Sequence, residues 1–250
     1  MSLFAVALKD HAAPPLAALP FLAGVKDFNR ASAREVLRRQ PGFLGRALSL
    51  EAAGELRASA AAAGFETMLV QEEEVPAPPP PLRTVKIELK GNGLYSTAAG
   101  AVEFIPYGEI QLLSAGAFDA PVPPVTMEAL KDSLFLKIRA SLPGGAAQGP
   151  RAGAPRETFF RADLLAGDGR LRLLLEPETL DFSPLGALRS QSSLVNFRTL
   201  LGKIAAPAFN AVKNAFLNTM LAGAPLADLK LASAAACEAE LAYLLLFKKR

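Results

Sequence analysis

Residues 171–204 read LRLLLEPETLDFSPLGALRSQSSLVNFRTLLGKI, and their reading decides the fold. Leu171 to Leu175 is an apolar run of strand type. A turn region follows, and then a helix. Leu194, Phe197, Leu201 and Ile204 fall three, four and three residues apart, so they share one helical face. Ser192 or Ser193 supplies the N-cap. A helix with one apolar face needs a sheet to lie on, and the strand-like runs before it provide one. The expected class is therefore α+β: an antiparallel sheet followed by helices.

Working back from that stretch, residues 82–118 form the clearest β region. Val85, Ile87 and Leu89 alternate with Lys86, Glu88 and Lys90. Gly91-Asn92-Gly93 and Ala99-Gly100 are turn sites, because Gly and Asn tolerate positive φ. Residues 94–98, 102–105 and 111–115 continue the sheet. Residues 158–165 and 171–175 pair across Gly167-Asp168-Gly169, and residues 179–185 read as one more strand or an edge. Residues 126–140 fit a helix through Met127, Leu130, Leu134 and Ile138, and equally a strand through Leu134, Leu136 and Ile138. Residues 142–156 are a Gly/Ala/Pro loop. After 204, Phe209, Val212, Phe216 and Met220 share one face of a helix ending at Gly223. Asn210, Asn214 and Asn218 form a polar stripe on it. Ser233 caps a last helix that buries Cys237, Leu241, Leu244 and Leu245.

Ahead of the β region lies a different pattern. Residues 3–8 are strand-like. Residues 12–24 carry Leu16, Leu19 and Leu22 at helical spacing, with Pro20 as a break or kink. A helix over 32–39 ends at Pro41-Gly42, and a short strand over 43–48 follows. Ser49 caps a helix whose stripe is Leu50, Ala53, Leu56, Ala60 and Ala63; Gly64 ends it, before a strand over 65–70. Residues 75–81, VPAPPPP after three glutamates, favour an extended spacer. The chain thus divides into a small α/β domain (1–74), a proline-rich linker (75–81) and a β domain with C-terminal helices (82–250).

The run ASAREVLRRQPGFLGRALSLEAAGELRASAAAAGFETMLV resembles the C-terminal domain of the bacterial ribosomal stalk protein, a small α/β domain that recruits translational GTPases. Ala33, Arg34, Glu35, Pro41, Ser49, Ala53, Leu56, Ala63, Gly64 and Glu66 match in type or identity, and the likeness covers about residues 1–72. It implies the fold and places Arg34 where the family carries a lysine toward its partner. The meander over 82–118, with its corner at Pro106-Tyr107, is similar to small bacterial PH-like domains. That likeness extends to residue 205, with the helix over 193–204 closing the barrel.

Composition narrows the function. Hydrophobic residues make up 51% of 250, ample for a core, and the net charge is +3. So small a surplus argues against nucleic acid, as does the absence of Trp. One cysteine, Cys237, leaves no internal disulfide and fits a cytoplasmic, reducing location. No run of about 18 apolar residues suggests a membrane span. A single histidine, His11, and that cysteine are too few for a His/Cys metal site. His11 is the one candidate for a His-based dyad or triad, and it reads as a loop residue ahead of Pro14 and Pro15. Asp163, Asp168, Glu176, Glu178 and Asp181 lie spread along strands and turns. No catalytic residue, metal or cofactor is therefore expected. Arg30, Arg34 and Arg38 recur every four residues and form one basic helical face, the expected partner-binding residues. The expectation is a non-enzymatic interaction protein with a protein partner. The alternative is a peripheral membrane or lipid binder, using the basic residues near the sheet turns and the terminal Lys-Lys-Arg.

Overall fold

The computed structural model describes residues 2–25, 28–121 and 156–248. Met1–Phe118 and Phe160–Arg250 together form one compact unit, and Asp119–Phe159 a second. In the second, the Arg156 guanidinium donates to the Asp119 carbonyl at 2.7 Å, and the Thr158 hydroxyl to the Asp119 carboxylate at 2.6 Å. The helix-or-strand question over 126–140 lies outside the described residues, as does the loop from 142 to 155.

The first unit begins with β1 (Phe4–Leu8), flanked by β2 (Phe43–Leu48) and β3 (Thr67–Gln71) in an antiparallel sheet of order β2-β1-β3. Between the strands run α1 (Leu19–Leu22), α2 (Arg30–Arg39) and α3 (Leu50–Ala62). The expected order of strand, helix, helix, strand, helix, strand is observed. The helix expected over 12–24 shrinks to α1. Pro20 belongs to its first turn, where a missing N–H costs nothing, so it starts the helix rather than breaking one. Asn29 and Ser32 close a reciprocal cap on α2, at 2.9 and 3.0 Å. Ser49 caps α3 as expected, but Leu50 and Ala63 are exposed and the buried stripe is Ala53 and Ala60.

Alternation along β1 sorts its side chains by size. Phe4, Val6 and Leu8 face a core made with Leu19, Leu22, Leu37 and Leu44, while Ala5 and Ala7 face Phe43, Leu112, Leu241, Tyr243 and Leu244. Both faces of the small sheet are covered. The second cover comes from the C-terminal part of the chain, so the segments on either side of residues 75–81 share a hydrophobic core.

The larger sheet holds β4 (Leu82–Leu89), β5 (Gly93–Ala98), β6 (Ala101–Pro106), β7 (Leu112–Pro121), β8 (Arg156–Ala166), β9 (Leu171–Leu175) and β10 (Val212–Lys213), in the order β10-β7-β8-β9-β4-β5-β6. It is mixed rather than antiparallel, because β4–β9 and β7–β10 pair parallel. Residues 179–185 make only an isolated bridge, Asp181 to Lys86, before a 3-10 turn over Ser183–Leu188; proline at the start of that turn ends the extended run. Helix α4 (Ser193–Ala205), capped by Ser192, buries Phe197, Leu200, Leu201 and Ile204 against the sheet. Leu194 is exposed, and Asn196 takes a buried place by bonding Ser190.

The expected helix from Phe209 begins later. Asn214 caps α5 (Ala215–Ala222), so Val212 and Lys213 join the sheet and Phe209 is left outside. The Asn stripe is therefore not one helical face. Gly223 closes α5 at φ 74°, a conformation glycine adopts without a Cβ penalty. The last helix, α6 (Ala234–Leu245), is capped by Ser233 and buries Cys237, Leu241 and Leu244 as expected, with Glu240 and Tyr243 beside them.

Candidate functional site

The arginine face is largely occupied by the chain itself. Arg38 donates from Nε to the Lys230 carbonyl at 2.9 Å and from Nη2 to the Leu231 carbonyl at 3.1 Å. The Ala232 amide donates back to the Arg38 carbonyl at 3.1 Å. Arg34 lies 3.5 Å from Asp228, an exposed pair that contributes little to stability. Arg30 is exposed.

The acids of β8 and the C-terminal helix join an ionic cluster that the sequence did not announce, with Arg161, Asp163 and Arg172 buried and Glu238 half-exposed at its rim. Arg172, 2% exposed, donates from Nε to Asp163 at 2.8 Å, from Nη1 to Glu238 at 2.7 Å and to the Pro79 carbonyl at 3.1 Å. Arg161 grips the same Asp163 and Glu238 at 2.9–3.1 Å. Burial works against the charge on Glu238, but the hydrogen bond and charge of Arg172, joined by Arg161, hold its carboxyl below the ordinary carboxylate range. Two cations and two anions use their donors and acceptors on each other. This pins the proline segment to β9 and α6, and it commits the carboxylates of Asp163 and Glu238 to the two arginines.

Cys237 is buried, and that burial pushes its thiol up to about 12, so it stays protonated and inert as a nucleophile. His11, Asp10, Glu240 and Tyr243 converge on a cavity of about 10 Å³, room for one water and no substrate. Among the described residues, no group of three His, Cys, Asp or Glu side chains could hold a metal ion. No described helix is long and apolar enough to cross a membrane. Of the expected lipid-binding residues, Lys248 is bonded to the Asp168 carbonyl, and 249 and 250 lie outside the described residues.

The open edge of the larger sheet is different. Among the described residues, β6 ends the strand order, with β5 as its neighbour on one side. The Tyr107 amide bonds the Asn92 carbonyl at 3.2 Å, which sets the phase of the ladder. By alternation, Ile105, Glu103 and Ala101 exchange bonds with β5. Val102 and Phe104 stand opposite Thr97 and Tyr95 in the unbonded positions, so their N–H and C=O groups point away from the sheet. Residues 101–104 are all exposed, Val102 at 66%.

Local sequence makes this edge rigid. Ala99 and Gly100 sit at φ 49° and 80°, the two-residue turn whose twist matches a hairpin. The Phe104 ring lies over Gly93, where an added Cβ would come within 2.7 Å of it, and 5.0 Å from the Tyr95 ring. On the same face Lys86 pairs with Glu88 at 2.7 Å. Their hydrogen bond and mutual charge raise the Lys86 pKa and lower that of Glu88. The signal for this edge was present in the sequence as AVEF after a turn, a strand whose apolar residues alternate with an acid but whose place at the sheet's end is fixed by pairing far along the chain. No family model, curated protein or solved structure matches the chain significantly.

Proposed function

We propose that the chain is a non-enzymatic interaction protein whose partner is an extended peptide segment added to the free edge of β6. The observation that carries this is the outward row of backbone groups on Val102 and Phe104, on an exposed strand with apolar side chains. Glu103 sets the occupant. It occupies the position between the two outward-facing residues, so a partner strand of the pattern apolar–basic–apolar places Lys or Arg opposite it. A second copy of this chain is disfavoured. Pairing Val102 with Phe104 of another molecule in both directions sets Glu103 directly against Glu103, about 4.5 Å apart at Cα.

A stalk-like fold for residues 1–72 and a PH-like fold for 82–205 belong to the same reading. Three helices packed on one face of the β2-β1-β3 sheet support the first, and α4 packed on the meander supports the second. A cytoplasmic location is part of it, supported by the single buried thiol. Because Arg34 and Arg38 engage residues 228–231 of their own chain, the reading rests on β6 rather than on the arginine face.

The test uses two short alternating peptides, Val-Lys-Val and Val-Glu-Val repeats, with amide hydrogen exchange on the full chain. The lysine peptide is expected to protect the Val102 and Phe104 amides, and Val102→Pro to abolish that protection. The proline removes an N–H that points away from β5, so no ladder bond is lost. Equal response to both peptides, unchanged exchange at those amides, or concentration-dependent dimerisation through β6 would overturn the proposal.

A further inference from the structure

From Phe182 to Ala227 the chain contains no Asp or Glu, yet it holds Arg189, Arg198, Lys203 and Lys213. This acid-free stretch includes α4, α5 and the turn between them. The inward side of α4 is the apolar face already described. Its outward side carries Arg198 and Lys203, both exposed, along opposite flanks of a strip formed by Val195, Gly202 and Ala206. A groove of about 680 Å³ runs along this face, walled by Arg198, Thr199, Lys203, Lys213 and Leu221.

Apolar side chains stand exposed at both ends. Leu188 is 54% exposed, Leu194 38% and Val195 51% at one end, and Phe209 is 77% exposed at the other. Phe209 stands at the tip of the turn between α4 and α5. The Lys213 ammonium donates to the Ala208 carbonyl at 2.7 Å and to the Ala211 carbonyl at 3.4 Å, bracketing the two residues at the tip.

We infer that this face of α4 and the Phe209 turn docks on an anionic lipid surface. Cations along the flanks meet the lipid charge, while Phe209, Val195 and Leu194 enter the headgroup boundary. Charge complementarity names the occupant: one sign of charge over the whole face, interleaved with protruding apolar groups. Protruding side chains suit a soft medium, whereas a folded protein would have to offer a matching pocket for each. Nucleic acid would meet a single aromatic ring, too little for stacking. The residues are separate from the β6 edge, so this inference and the peptide reading stand or fall independently.

The experiment sediments the full chain with phosphatidylcholine vesicles and with phosphatidylcholine–phosphatidylserine vesicles, at low and high salt. Binding is expected only with phosphatidylserine, and high salt should weaken it. Arg198→Gln and Lys203→Gln should each lower partitioning about fivefold, and Phe209→Ser about tenfold or more. Arg57→Gln, an exposed cation on α3, should change nothing. No phosphatidylserine-dependent binding, or binding indifferent to Phe209→Ser, overturns the inference. Binding to a homopolymeric RNA that falls with Arg198→Gln and Lys203→Gln but not with Phe209→Ser would assign the face to nucleic acid instead.

Discussion

Glu240 offers a measurement in which sign, size and pH window all follow from its surroundings. It lies on the inward face of α6, 8% exposed, and its Oε2 accepts from Asn214 Nδ2 at 2.9 Å. Burial pushes its carboxyl from 4.5 up to about 7; the Asn214 bond opposes that rise and the charge of Asp163 adds to it. Between those two pH values the folded chain keeps a proton that the unfolded chain has released. Stability therefore falls as pH rises from about 4.5, and the whole penalty is present above about 7. A separation of about 2.5 units corresponds to about 3 kcal/mol. Glu240→Gln keeps an oxygen for Asn214 but has no proton to lose. Guanidinium unfolding at about pH 8 should find the variant about 3 kcal/mol more stable than wild type, with an unchanged denaturant slope. Near pH 4 the two should be equal, because both side chains are neutral there. A gain that is the same at both pH values, or a loss at the higher one, refutes the reasoning.

The ionic cluster and the packing of Tyr243 give two more expectations. Arg172→Met leaves Asp163 and Glu238 to Arg161 alone and strips the Pro79 carbonyl of its donor, so it should cost about 3–5 kcal/mol in denaturant unfolding. Arg172→Lys should rescue little, since one ammonium cannot reach three separate acceptors; full rescue would mean that charge alone matters. Gly42→Ala should destabilise by about 3 kcal/mol or more in the same assay, because its φ is +82° and an added Cβ would lie 2.3 Å from the Tyr243 ring. Gly54→Ala, on the exposed side of α3 with nothing within 4 Å, should instead stabilise by roughly 0.5–1 kcal/mol.

What the sequence disclosed depended on how local the deciding interaction was. Ser49, Ser192 and Ser233 could be read as caps because a cap is settled within three residues. The turn around Asp168 was equally legible, since Gly167 and Gly169 take the positive φ it needs; the turn at 91–93 forms where expected, but its residues do not use positive φ. Phe209 misled because it continues the 3.6-residue spacing of Phe216 and Met220. Asn214, whose side chain accepts from the Leu217 amide at 3.1 Å and from the Ala115 amide at 3.2 Å, restarts the helix after it. That second bond joins residues 99 apart, and no window of periodicity contains it. The same distance hid the ionic cluster: Arg161, Asp163 and Arg172 looked like polar positions on solvated strands until Glu238 was brought over them. Arg38 failed as a free partner residue for the same reason, its acceptors being 192 and 193 positions away.

The N-terminal strand carried a readable clue to this long-range order. In FAVAL the residues on one face are large and those on the other are alanines. Two faces of such unequal size mean that a backbone must come close on the small side, and α6 is the element that does so. Its inward positions are divided among three neighbours. Leu241 and Leu244 pack on Ala5, Ala7 and Phe43, and the Tyr243 hydroxyl donates to the Leu8 carbonyl at 3.0 Å. Cys237 lies against Gly116 of β7, where a Cβ would sit 3.4 Å from the sulfur. Glu238 and Glu240 meet Arg172 and Asn214. A helix that holds the small sheet, the large sheet and the cap of α5 together cannot be released to bind something else without opening all three. Partner surfaces therefore have to be sought where α6 makes no demand, and the β6 edge and the outer face of α4 both meet that condition.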